Sequence, residues 1–358
     1  MRWPLGIRDR IGIELPILQA PMAGGPSTPE LAAAVSSAGG LGSLAGGYLP
    51  AEGLREAIRK TRTLTSRPFA VNLFAPEAPA APAPEELERA ARALAPYRAE
   101  VGLGPPPPAA PLPPFADRLR VVLEERVPVF SFTFGLLAPE DLAALRAAGA
   151  FVLGTATTPG EARALEAAGV HAIVAQGAEA GAHRGTFLGP AERALVGTLA
   201  LVPQVVDAVS LPVIAAGGIM DGRGVAAALA LGARAVSLGT AFLPCPESGA
   251  SRAYKDALLA RTRDDDATAI TRAFTGKAAR GIRNRFLEEM AAAPVLPYPL
   301  QHAMTADLRR EAARIGKPEL LSLWAGQGAP LARARPAAEL VRDLARETED
   351  ALARLVHG

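Results

Sequence analysis

Of the four histidines in this 358-residue chain, His183 has the setting that proton chemistry needs. It sits in AQGAEAGAHRG, residues 175–185, with glycines on both sides and an apolar run ending just before it. A neutral imidazole there can take a proton from a carbon acid, and a protonated one can hold an anion. The plainer alternative is a loop histidine bonded to backbone. His171 opens an apolar run and His357 stands next to the last residue, so both read as structural or solvated. The single cysteine, Cys245, and the scattered histidines give no metal-ligand spacing, and no GxSxG nucleophile elbow is present.

Two glycine-rich turns supply a second kind of chemistry. One is AAGGIMDG, residues 215–222, and the other is SLGTAF, residues 237–242. Glycines let backbone N–H groups close on phosphate oxygens without a Cβ in the way, and a helix N-terminus adds its dipole. Each turn alone is explained by a tight connection. The pair in tandem points to a phosphate cradle at Gly217, Gly218, Gly239 and Thr240. A single phosphate site suits FMN. Its ring would then meet QAPMAGG (residues 19–25, with backbone amides near Met22), Asn72 in VNLF, and Gln176. The two side-chain amides can donate to ring atoms that become electron-rich on reduction, or can make simple loop bonds.

The elements that must position these groups follow from the beat of the chain. Short apolar runs alternate with Ala/Leu-rich segments of helical period that close on glycine, the sign of βα units around a parallel sheet. The runs at 17–20, 40–44, 69–74, 127–133, 151–155, 172–176, 213–216 and 235–238 predict eight strands, the number that closes a (β/α)₈ TIM barrel. PEDLAALRAAG (139–149) and PGEARALEAAG (159–169) are near-copies, with Pro and acids at the start and Gly at the end. A doubly wound sheet is the alternative, but no GxGxxG follows the first strand. In a barrel the turns after strands seven and eight are where phosphate is commonly held, and reactive groups gather at the strands' C-terminal ends. Two segments break the beat: the Pro/Ala-rich stretch 75–114, and the 110 or so residues after the last strand. The division expected is a barrel from 1–75 and 120–245, a lid from 76–119 and 246–330, and a C-terminal helix in 331–358 packed on the barrel.

Composition excludes more than it selects. Lys and Arg total 38 against 36 acids, a net charge of +2, so no single-sign field argues for nucleic acid or a membrane surface. The uncharged stretch 31–51 is broken by Gly39, Gly40, Gly42, Gly46, Gly47 and Pro50, which suit a turn–strand–turn better than a membrane span. The N-terminus lacks the apolar core of a secretory signal, and one cysteine fits a reducing compartment. The expectation is a cytoplasmic protein with small-molecule partners, and nothing in the sequence stands against a homodimer.

Taken in order, QAPMAGG, VNLF, SFTFG (131–135), AQGAEAGAHRG, AAGGIMDGRG (215–224), LGTAF, TGKAARGIRNRF (275–286) and WAGQG (324–328) resemble the nitronate monooxygenases, formerly 2-nitropropane dioxygenases. The resemblance runs from about 16 to 327 and implies an FMN barrel with a lid. It also implies oxidation of alkyl nitronates, and of nitroalkanes, by O₂ to carbonyl compounds and nitrite. Carried onto this chain, it places FMN contacts at Met22, Asn72, Gln176, Gly181, Gly217, Gly218, Ser237, Gly239 and Thr240, and the catalytic histidine at His183. Thr133, Tyr254, Lys277, Tyr298 and His302 are candidates to line the substrate pocket. Three positions depart from the family pattern: Ser237 stands where many relatives have Gln, Thr133 where many have His, and Ala182 where Gly is usual. The last is a small change if its φ is negative. The shared motifs also fit NAD(P)H-dependent flavin reductases of the same superfamily (quinone or enoyl-thioester reductases); a flavin-storing or ligand-binding barrel without turnover is a further alternative.

Overall fold

Runs rich in β-branched and aromatic residues, apolar on both faces, form eight parallel strands: β1 Ile17–Gln19, β2 Gly42–Ala45, β3 Phe69–Phe74, β4 Val129–Thr133, β5 Phe151–Ala156, β6 Ala172–Gln176, β8 Val213–Ala216 and β9 Ala235–Leu238. Strands sheathed by helices on one side and packed against a core on the other carry this continuous apolar pattern. The computed structural model describes residues 3, 6–77, 81–107, 111–260 and 267–357. The sheet order is β1-β9-β8-β6-β5-β4-β3-β2, and a parallel bridge between Leu18 and Leu41 joins its two ends. The sheet is therefore a closed (β/α)₈ TIM barrel.

Inside it, Leu18, Leu41, Ala70, Val129, Leu153 and Ile214 meet, and Ile7, Ile11 and Ile13 close the N-terminal end. This plug, carried on the helix Ile7–Ile11, has too short an apolar pattern to be read from sequence. Between strands and helices lies a larger core. Gly42 shows how closely the layers approach: a Cβ there would stand 1.9 Å from the Ala32 carbonyl oxygen. The near-copy helices form as Pro139–Ala147 and Pro159–Ala168, each with Pro in its first turn, and Thr158 caps the second by accepting from the Glu161 amide.

The segments that interrupt the beat share a second core. The helix Pro84–Glu100 brings Ala90, Leu94 and Tyr97 against Phe274, Phe286 and Leu308. The Tyr97 and Phe286 rings lie 4.8 Å apart, and Arg98 grips Asp307 with both terminal guanidinium nitrogens at 2.7 and 2.8 Å. The C-terminal helix Ala337–His357 packs along the helices Gly222–Ala230 and Pro29–Ser37 on the barrel's outside. A Cβ on Gly222 would sit 2.3 Å from the Glu347 backbone. Among the described residues no helix is long and apolar enough to cross a membrane.

A second, three-stranded antiparallel sheet was not legible in the sequence. It has the order β10 (Thr268–Thr271), β11 (Ala279–Ile282), β7 (Ala182–His183). The His183 segment is thus a strand edge pinned to the TGKAARGI segment, with His183 opposite Ala279 and Ala182 opposite Arg280. Ala182 has φ of 61°, so the condition under which its replacement of glycine is a small change is not met: the position needs the left-handed region that glycine occupies freely, and alanine holds it at a cost of about 1 kcal/mol or more.

Candidate active site

The C-terminal ends of the strands open into a cavity of about 610 Å³, covered on its far side by residues of the second core. Its barrel wall includes Met22, Asn72, Thr133, Gln176, Gly181, His183, Gly217, Gly218, Ser237, Gly239 and Thr240. Tyr254 and His302 line it from the other side. Lys277 and Tyr298 stand one layer back. The Lys277 ammonium lies 4.4 Å above the Phe134 ring and pairs with Glu77. The Tyr298 ring packs 5.8 Å from His183, and its buried hydroxyl faces that of Tyr48.

The two glycine turns are built differently. Gly217 and Gly218 have φ of 116° and 72°, which no β-branched residue adopts without strain. A Cβ on Gly217 would fall 2.8 Å from Thr198 Oγ1, and one on Gly218 would fall 3.2 Å from Glu179 Cβ. The Glu179 carboxylate is itself held by the Thr198 amide at 2.8 Å and the Thr198 hydroxyl at 2.8 Å, which fixes the loop beneath the turn. Gly239 has ordinary backbone angles and only Ala20 and Met22 near it. Among the described residues, the amides of Gly218 and Gly239 have no backbone acceptor, and Ser237 Oγ has no partner. Thr240 Oγ1 accepts from the Gly326 amide at 2.9 Å. Gly181 meets the WAGQG segment so closely that a Cβ would lie 2.6 Å from the Gly326 nitrogen.

Several expected donors are already engaged. Asn72 is buried and donates to Ser131 Oγ at 3.0 Å. Gln176 donates to the His183 carbonyl at 3.0 Å and accepts from the Gly185 amide at 2.8 Å, so its amide shapes the histidine loop. The Met22 amide donates to Ser27 Oγ at 2.9 Å. The Tyr254 hydroxyl donates to the Trp324 carbonyl, and the Thr133 hydroxyl lies 3.4 Å from that of Thr155.

His183 lies half-buried among the rings of Phe134, Trp324 and Tyr298, with centroids at 5.6, 5.8 and 5.8 Å. Burial, then the nearby Lys277 and Arg309 charges, push its pKa down to about 3. This favours the neutral ring, the form that can accept a proton. Its Nε2 is 2.9 Å from Thr275 Oγ1, which is 3.2 Å from the Lys277 carbonyl. A hydroxyl has one proton. When Thr275 gives that proton to the Lys277 carbonyl, Nε2–H donates to Thr275 and Nδ1 becomes the basic nitrogen. The neighbouring Phe134 has φ of 81°, a strained value for an aromatic residue and of the kind found at functional sites.

Sequence reasoning missed Tyr48, Phe134, Thr275, Arg309 and Trp324. Tyr48 follows β2 in a loop that the buried Arg118 fixes by donating to the Gly47 carbonyl at 2.6 Å. SFTFG, TGKAARG and WAGQG already marked three of the others; Arg309 lies in an ordinary-looking helix, Leu300–Arg314, and gave no signal. No cluster among the described residues could hold a metal ion.

A closed barrel of eight parallel strands, with a covered cavity at their C-terminal ends, defines a TIM-barrel protein with the active-site position of that fold. The family model for nitronate monooxygenase matches residues 7–347. The chain is 44% identical over 342 residues to a probable nitronate monooxygenase of Staphylococcus aureus, covering 94% of this chain and 95% of that protein. A nitroalkane oxidase structure from Streptomyces ansochromogenes matches with a TM-score of 0.91 and 46% identity, covering 98% of this chain and 99% of that one. FabK from Thermotoga maritima matches at 0.74 and 33%, covering 98% and 97%. The chain belongs to the nitronate monooxygenase family and is an oxidoreductase.

Proposed function

We propose that this enzyme uses FMN and O₂ to convert alkyl nitronates, and neutral nitroalkanes once deprotonated, into carbonyl compounds and nitrite. The observation that carries the reading is a neutral, ring-enclosed His183 facing the same cavity as the paired glycine turns. The cavity volume falls within the roughly 300–1,000 Å³ typical of cofactor-sized sites. Gly218 and Gly239 offer free amides, and Ser237 and Thr240 hydroxyl protons, where one phosphate would sit, and the strand ends at Asn72 and Gln176 form the floor for a planar ring. When bound, the flavin supplies the electron-accepting step and passes electrons to O₂.

The chain's own residues do the rest. The imidazole of His183 takes the α-proton of a neutral nitroalkane, whose nitro group delocalises the charge left behind. The new anion then sits beside the imidazolium, and this attraction offsets the burial that keeps the ring neutral. Phe134, Tyr298 and Trp324 exclude water and hold the ring's plane. A preformed nitronate needs no proton removed and enters after this step. In air, turnover of ethylnitronate should release acetaldehyde and nitrite in equal amounts with no pyridine nucleotide present. Nitrite release that depends on NADH, or none at all, would overturn the reading.

A further inference from the structure

Burial favours the neutral form of His183, so the charge of an anionic substrate calls for a cationic partner elsewhere in the cavity. Arg309 lines the same cavity, half-buried, from the helix Leu300–Arg314. Its Nε donates to the Thr305 carbonyl at 3.2 Å, and its Nη2 donates to the His302 carbonyl at 3.1 Å and to His302 Nδ1 at 3.2 Å. Nη1 has no acceptor among the described residues, and it is not sealed from open space. The nearest carboxylate on this helix, Asp307, is engaged at both oxygens by Arg98. Among the described residues no carboxylate lies within ion-pair distance of Arg309. A guanidinium taken out of water with no carboxylate paired to it is costly unless a ligand supplies the charge.

The contact with His302 adds a second donor. An arginine only donates, so His302 Nδ1 is the acceptor, and the neutral ring carries its proton on Nε2. Burial and the Arg309 charge keep this ring neutral, with its pKa pushed down to about 2. Tyr48 stacks on it at 4.0 Å with planes 12° apart, which fixes the ring's direction. His302 Nε2 has no partner among the described residues.

We infer that Arg309 Nη1 and His302 Nε2–H form an oxyanion-binding pair in the lid, which takes a planar two-oxygen anion and holds it across the cavity from His183. Two groups have that chemistry: the nitronate itself, or a carboxylate carried elsewhere on the substrate. The inference rests on reading the cavity as the substrate site, but its first test needs no turnover.

The test is calorimetric titration of the oxidised holoenzyme with butyrate and with its neutral isostere butyramide. Wild type should bind butyrate at least about 10-fold tighter than butyramide. Arg309→Met should weaken butyrate roughly 10- to 100-fold, the worth of one charge-assisted bond, and leave butyramide within twofold. Arg309→Lys should retain part of the preference. A wild type without preference, or an Arg309→Met variant that loses both ligands equally, would overturn the inference. Steady-state kinetics then separate the two sources. A raised KM for ethylnitronate assigns the pair to the nitronate group. A raised KM only for a nitronate that also carries a terminal carboxylate assigns it to the carboxylate. Unchanged KM for both in Arg309→Met would again overturn it. If no nitronate is oxidised while the butyrate preference behaves as expected, only the proposed reaction fails.

Discussion

Replacing His183 with Asn should nearly abolish oxidation of neutral nitroethane and spare most of the activity toward ethylnitronate. Asn keeps a polar side chain of similar reach but has no basic nitrogen. A positioned base contributes about 10²–10⁴-fold, so kcat/KM for nitroethane should fall by that factor, while the preformed anion bypasses the lost step. A parallel fall on both substrates, expressed in KM, would instead assign His183 to anion binding. The pH dependence carries the same information. Because burial depresses the His183 pKa to about 3, the basic form persists at every pH above that value. The nitroethane kcat/KM of wild type should therefore show no limb from this residue near 6.5, the ordinary histidine value. A limb near 6.5 that vanishes in His183→Asn would mean that the ring is solvated in the working enzyme.

Gly218→Val should yield folded protein without its yellow cofactor. The valine would need φ near 72° and would press on Glu179, so the turn must move and withdraw its amide from the phosphate site. Losing even one or two charge-assisted bonds weakens binding on the order of 10²-fold. Strain of about 1–3 kcal/mol threatens folding as well, so Gly239→Val serves as the cleaner partner. A Cβ at Gly239 meets nothing closer than 3.6 Å, so its protein neighbours tolerate it, and flavin loss there reports on the cradle itself. Circular dichroism of the colourless protein checks the fold. Full flavin content in both variants would place the phosphate elsewhere.

The barrel was legible because its strands are apolar on both faces and its helices carry Pro at the start and Gly at the end; period and punctuation are local signals. The turns at Gly217 and Gly239 were legible for the same reason, since their place after the seventh and eighth strands is set by counting. What failed to show was contact between distant segments. Nothing in AQGAEAGAHRG announces that His183 pairs with Ala279 as a strand, because the register depends on β11 arriving from nearly 100 residues further along the chain. The sign of φ at Ala182 follows from that pairing and was equally hidden. Asn72 and Gln176 looked like free donors because a sequence shows the amide but not Ser131 or Gly185 beside it. Arg309 was invisible because an arginine on an amphipathic helix is usually solvated. Only the pairing of Asp307 with Arg98 reveals that this one has no carboxylate within ion-pair distance among the described residues.

The central claim, that a nitronate and not a pyridine nucleotide delivers electrons in this cavity, is tested most directly by anaerobic mixing. Purified holoenzyme is mixed without O₂ with ethylnitronate and, separately, with NADH and NADPH, while the visible flavin absorbance is followed. Nitronate oxidation predicts rapid bleaching by ethylnitronate, recovery of the colour when O₂ is admitted, and no comparable bleaching by either pyridine nucleotide. Rapid bleaching by NADH or NADPH with none by ethylnitronate would contradict it and make the enzyme a reductase on the same barrel.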